Sequence, residues 1–179
     1  MAHEAVTACA HDLVSGLRQQ WRDRLGEDHE HTLTAAHYLA WTLLEMGRYA
    51  ESRDLNRDTL IRRRRVLGED HPDTLYTAHN LAINLRELGE ARAARDLDQD
   101  TLDRRRRVLG EDHPDTLASA SHLATDLRAL GEARAARDLD HDTLDRRRQI
   151  LGPDHPHTLA SAANLATDLR ELGEADDDS

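Results

Sequence analysis

Apolar residues return along this chain at spacings of three and four, and the pattern restarts every 42 residues. In one period Leu75, Ala78, Leu81, Ala82, Leu85 and Leu88 fall on one side of a helix. Asp70 and Pro72 supply its start, a capping side chain followed by a proline that the first turn tolerates. Gly89 supplies the left-handed residue that ends it. A second helix follows from about Glu90 to Val108, with Ala91, Ala94, Leu97, Thr101, Leu102, Arg105 and Val108 facing inward, and Gly110 stops it. We refer to the two as the A and B helices. Nothing in the pattern predicts a strand.

Three sets of markers keep the same period. The linker reads LGEDHEHTL from Leu25, LGEDHPDTL from Leu67 and Leu109, and LGPDHPHTL from Leu151. Gly47, Gly89, Gly131 and Gly173 recur in step, as does a Leu-Ala pair at Leu39, Leu81, Leu123 and Leu165. Residues 89–117 and 131–159 agree at 24 of 29 positions. A fixed period of this size predicts a stacked array of helical units. A helices are expected near 30–46, 72–88, 114–130 and 156–172, and B helices near 48–66, 90–108 and 132–150. Residues 1–26 carry a degenerate B helix, from about residue 4 to 25, with no A partner. The organisation is then three repeats at 27–68, 69–110 and 111–152, a half repeat with an A helix alone at 153–174, and an acidic tail at 175–179 expected to be disordered. About eight helices and an all-α fold follow.

Composition agrees. Leu and Ala make up 53 of 68 hydrophobic residues, Val and Ile together number seven, and Phe is absent. Sheets want β-branched and aromatic residues, whereas Leu, Ala, Arg and Glu favour helices. No apolar stretch reaches membrane-spanning length, and the first residues lack the basic region of a signal peptide. With Cys9 the single cysteine, no internal disulfide forms, and a cytoplasmic chain is expected. All 24 basic residues are Arg, which reads as codon bias in a GC-rich genome.

The same chemistry narrows the function. The runs Arg62–Arg65, Arg104–Arg107 and Arg146–Arg148 look like nucleic-acid patches, but they fall on B helices and are expected on the outer surface. Asp58, Asp100 and Asp142 precede Arg62, Arg104 and Arg146 by four residues, and Asp103 so precedes Arg107, a spacing that pairs charges along a helix. At a net charge of −11 the runs read as solvated, salt-bridged faces, and nucleic-acid binding is not expected. Of the 12 histidines, His71, His113 and His155 recur with the linker, where each can bond the start of its A helix. His29, His31 and His37 are the densest group, but HEHTLTAAH is not a zinc motif. No metal, cofactor or catalytic constellation is expected, and the chain is not read as an enzyme.

These linkers and turns resemble the tetratricopeptide repeat, in the 42-residue variety of kinesin light chains and many bacterial regulatory proteins. The resemblance spans roughly residues 25–173. Gly47, Gly89, Gly131 and Gly173 match its A–B turn, and Ala50, Ala94 and Ala136 its small residue where B packs on A. The sequence departs in having few bulky aromatics, and in Asn56, Asp98 and Asp140 where Leu is frequent. Such polar groups are expected to be hydrogen-bonded across helices. The resemblance implies a bacterial chain, and a right-handed superhelical solenoid of antiparallel helix pairs whose concave face, lined by A helices, holds extended peptides.

On each A helix the side opposite the packed leucines then faces the groove. That stripe holds His37, Tyr38 and Trp41 on the first A helix. On the second it holds Tyr76, His79, Asn80, Ile83 and Arg86. The third contributes His122, Thr125 and Arg128, and the last Asn164, Thr167 and Arg170. Arg86, Arg128 and Arg170 form a row at helix-packing spacing, about 10 Å, suited to an acidic segment. They are also close in sequence to Glu87, Asp126, Asp168 and Glu171, which can satisfy them internally. Asn80 and Asn164 resemble the peptide-clamping asparagines of kinesin light chains. Trp41, His37 and Tyr38 suit an aromatic pocket or a repacked core.

The expected function is therefore a non-catalytic scaffold for a protein or peptide, with an acidic ligand. One alternative is a sensor segment of a larger signalling ATPase or transcriptional regulator. Another is head-to-tail self-association, in which the first helix (Leu13, Leu17, Trp21) covers the last A helix (Leu159, Leu165, Leu169) of a second copy.

Overall fold

The computed structural model describes residues 2–173, with side chains from Val6 onward. Among them are eight helices and no strand: α1 (Ala2–Leu25), α2 (Glu30–Glu45), α3 (Tyr49–Leu67), α4 (Pro72–Glu87), α5 (Ala91–Leu109), α6 (Pro114–Ala129), α7 (Ala133–Leu151) and α8 (Pro156–Leu172). Even-numbered helices are the expected A helices and odd-numbered ones the B helices. The acidic tail expected at 175–179 lies outside the described residues. The helices form two compact units, α1–α4 and α5–α8. Within each unit every helix packs against the one before it.

The linkers act by backbone geometry. Gly89 sits at φ +77°. Its N–H bonds to the Arg86 carbonyl at 2.9 Å, and the Glu90 N–H reaches back to the Leu85 carbonyl at 2.8 Å. This closes the last turn of α4 at a φ that glycine adopts without steric cost. The other end differs from expectation. The capping side chain is His71, not Asp70: its Nδ1 accepts the Asp73 N–H at 3.2 Å. Asp70 stands one residue too early, whereas the extended backbone of His71 sets its ring over the first turn. His29, His113 and His155 cap α2, α6 and α8 in the same way.

The A helices carry most of the core. Leu75, Ala78, Leu81, Ala82 and Leu85 of α4 are buried, as are Leu117, Ala120, Leu123, Ala124 and Leu127 of α6. B helices add one deeply buried leucine each, Leu60, Leu102 and Leu144, and a small residue against which the neighbouring helix packs. At roughly 1.5–3 kcal/mol for each fully buried leucine, these stripes hold the units together. The small residue is Ala94 in α5 and Ala136 in α7, but in α3 it is Ser52, not the exposed Ala50. Ser52 stands 42 residues before Ala94, and its Oγ donates to the Ala40 carbonyl at 2.7 Å. Val108 was expected inside and is 46% exposed, because the last turn of α5 runs past the helix it packs on.

The arginine runs are also only partly solvated. Arg62, Arg104 and Arg146 pair with Asp58, Asp100 and Asp142 as the spacing requires. The next arginine in each run turns inward. Arg63 Nη1 donates to the Asp73 carbonyl at 2.9 Å and to Thr77 Oγ1 at 2.7 Å. Arg105 reaches the Asp115 carbonyl and Ser119, and Arg147 the His157 carbonyl and Ser161. All three are buried, and each ties a B helix to the first turns of the following A helix.

Candidate functional site

In the α1–α4 unit the expected stripe becomes an aromatic patch. His37 of α2 lies edge-on to Tyr38 and to Tyr76 of α4, with ring centroids 5.2 and 5.0 Å apart. Tyr76 in turn stands near His79. Tyr38, Trp41 and Tyr76 are 57%, 44% and 45% exposed, so three of the chain's five aromatic residues point to solvent from neighbouring A helices. Beneath them the Asn80 amide meets His37 Nδ1 at 3.2 Å. Burial, helped by the Arg63 charge, lowers the His37 pKa to about 4. The ring is therefore neutral near pH 7, and Nδ1 accepts from the amide. Asn80 was expected to face a ligand but is 3% exposed, because the preceding A helix places His37 over it. Ile83 and Arg86 are half-buried further along α4.

In the α5–α8 unit the expected arginine row turns inward at Arg128. Its Nη1 donates to Asp140 Oδ2 of α7 at 2.7 Å and to Asp168 Oδ1 of α8 at 2.8 Å. Nη2 rests on Thr125 Oγ1 at 3.2 Å. Both carboxylates are fully buried. Burial, reinforced by the neighbouring Asp168, pushes the Asp140 carboxyl up to about 6 against the pull of Arg128. Arg128 thus neutralises two buried acids and does not face a ligand, a role the sequence reading allowed for Asp168 but missed for Asp140. The signal was present: Arg86, Asp98 and Asp126 repeat the same three residues 42 positions earlier.

The remaining candidates in this unit are spread along its A helices. His122 borders a cleft of about 480 Å³ between α6, α7 and the start of α8, lined also by Ile150, Leu151 and His155. Ile150 and Leu151 are 47% and 38% exposed, and the sequence reading did not single them out. Asn164 and Thr167 are half-buried and Arg170 is exposed on α8. Among the described residues no group of three or more His, Cys, Asp and Glu side chains is placed to hold a metal ion. Nor is any helix among them long and apolar enough to cross a membrane.

Comparison with known proteins assigns the architecture. A family model described as "Tetratricopeptide repeat" matches residues 32–73, 74–115 and 116–157, three consecutive copies at the 42-residue period. The chain belongs to the tetratricopeptide repeat family. Its fold is similar to that of a protein from Podosopora anserina with "kinesin light chain nearly identical TPR-like repeats". That structure gives a TM-score of 0.77 at 24% identity, over 97% of this chain and 90% of that one. A form of the same protein with a single substitution gives 0.79 at 24% identity with the same coverage. BtubC (BKLC) from P. vanneervenii gives a TM-score of 0.85 at 16% identity, over 97% of this chain and 69% of that one. A search of curated protein sequences found no match. Tetratricopeptide repeats are in general non-catalytic scaffolds for protein interaction, and fold alone does not specify the ligand.

Proposed function

We propose that this tetratricopeptide repeat protein is a non-catalytic scaffold that takes an extended peptide across the exposed A-helix side chains of its α1–α4 unit. The observation that carries the reading is the exposure of Tyr38, Trp41 and Tyr76 on two neighbouring A helices, above the neutral His37–Asn80 pair. Large rigid aromatics account for a disproportionate share of binding energy at interfaces, and this chain places most of its few aromatics here. With Arg128 engaged by Asp140 and Asp168, the reading rests on these aromatics and not on acidity in the ligand. Protein rather than nucleic acid as the partner accords with a net charge of −11. A cytoplasmic setting without cofactor belongs to the same reading.

A phage-displayed random dodecapeptide library, panned against the full chain, supplies the probes. Enriched peptides are expected to bind a Tyr38→Ala/Trp41→Ala variant about tenfold or more weakly, as loss of an aromatic anchor predicts. Peptides that bind both proteins equally overturn the reading.

A further inference from the structure

We propose that the solvent-facing side of α8 is a docking site for an acidic amphipathic helix of a partner protein, with Arg170 as its charge anchor. The inference does not depend on the aromatic patch, which lies in the other unit.

The argument compares α8 with α6 at positions 42 residues apart. Leu117 of α6 is 4% exposed, whereas Leu159 of α8 is 56% exposed. Ala124 is fully buried and Ala166 is exposed. Arg128, 14% exposed, meets Asp140 and Asp168 on the two helices that follow it. Arg170 is held in a comparable way, Nη2 on Thr167 Oγ1 at 3.2 Å and Nε on the Ala166 carbonyl at 3.0 Å. Among the described residues no carboxylate reaches it. α8 therefore presents an apolar strip beside a guanidinium set in the pose that grips buried carboxylates one repeat earlier.

The α6–α7 contact specifies what fits. Ala136 and Leu139 of α7 join the core cluster that contains Ala120, Ala124 and Leu127, and Asp140 meets the arginine. A helix with a small residue, then Leu at i+3 and Asp at i+4, reproduces that set. The α1 helix of a second copy does not. At the matching positions it has Ala10, Leu13 and Val14, with Arg18 where the buried Leu144 stands. It would lay an aliphatic side chain on the Arg170 guanidinium and push a second arginine into the apolar strip, and desolvating a charge without a counter-charge is unfavourable. Charge complementarity thus favours a foreign acidic helix over self-assembly.

The probe is a fluorescein-labelled peptide with the α7 sequence, residues 133–151, stapled on its solvent face and shown to be helical by circular dichroism. It is titrated against the full chain by anisotropy. Saturable binding is expected, weakened at least about tenfold by Arg170→Asp and by Leu159→Asp, each at an exposed position. A peptide with Asp140→Arg is expected to bind the Arg170→Asp protein better than the parent protein. Two outcomes overturn the proposal: no saturable binding of the helical peptide, or affinity indifferent to the Arg170 charge. A concentration-dependent oligomer that competes with the peptide and is lost on Leu13→Asp overturns it too, since it assigns the face to a second copy.

Discussion

Asn56 donates from Nδ2 to Asn84 Oδ1 across 2.7 Å, at the two repeat positions that Asp140 and Asp168 occupy 84 residues later. The arginine that serves those aspartates, Arg128, is replaced at the corresponding position by Leu44. Acids and guanidinium appear together and vanish together, as expected for a buried layer in which an unmatched charge is costly. Arg128→Leu alone is therefore expected to destabilise the protein by about 3 kcal/mol, because two buried carboxylates lose their counter-charge. The triple change Arg128→Leu/Asp140→Asn/Asp168→Asn copies the neutral set and is expected to recover most of that loss. Urea denaturation of the three proteins decides: a triple variant as unstable as the single one contradicts the compensation.

Two buried groups give opposite pH dependences. The Asp140 carboxyl is held up at about 6 in the fold, against an ordinary 3.8. The folded state then keeps its proton longer than the unfolded chain, and the stability associated with Asp140 falls as pH rises from about 4 to about 6. His37 is held down at about 4 against an ordinary 6.5. Here the unfolded chain takes the proton first, so stability falls as pH drops from about 6.5 to about 4. Asp140→Asn should remove the first slope and His37→Gln the second. Denaturation midpoints measured at several pH values, taken as differences from wild type, should show trends of opposite sign. Parallel trends count against both assignments.

The four histidine caps make a simpler claim. His113→Ala should cost about 1 kcal/mol, and His113→Asn, which keeps an acceptor for the Asp115 N–H, should cost much less. Thermal melts of the two variants distinguish capping from mere packing of the ring, since packing predicts equal losses.

All eight helices were legible in the sequence because glycine at φ > 0 and a His-Pro start fix their ends in nearly every period. The side chains at the centre of each unit were less so. In a run such as Arg62–Arg65, composition shows four equivalent cations. Only the angular position of Arg63, one turn past the buried Thr59 and Leu60, marks it as inward-facing. Asn80 occupies the same stripe as Tyr38, yet one is buried and the other exposed, because the difference depends on what the preceding A helix lays over it. Arg128 was readable in principle. Its acids stand 12 and 40 residues downstream, and the same intervals join Arg86 to Asp98 and Asp126.

The alternation of Leu44 with Arg128 also bears on how a chain of near-copies assembles correctly. Where neighbouring segments agree at 24 of 29 positions, apolar stripes alone hardly distinguish the proper neighbour from one a period away. An α7 helix that settled on α2 would set the Asp140 carboxylate against the aliphatic Leu44, whereas its own neighbour α6 offers a guanidinium. The polar layer thus serves as an address, penalising mismatched pairings that the leucines would tolerate.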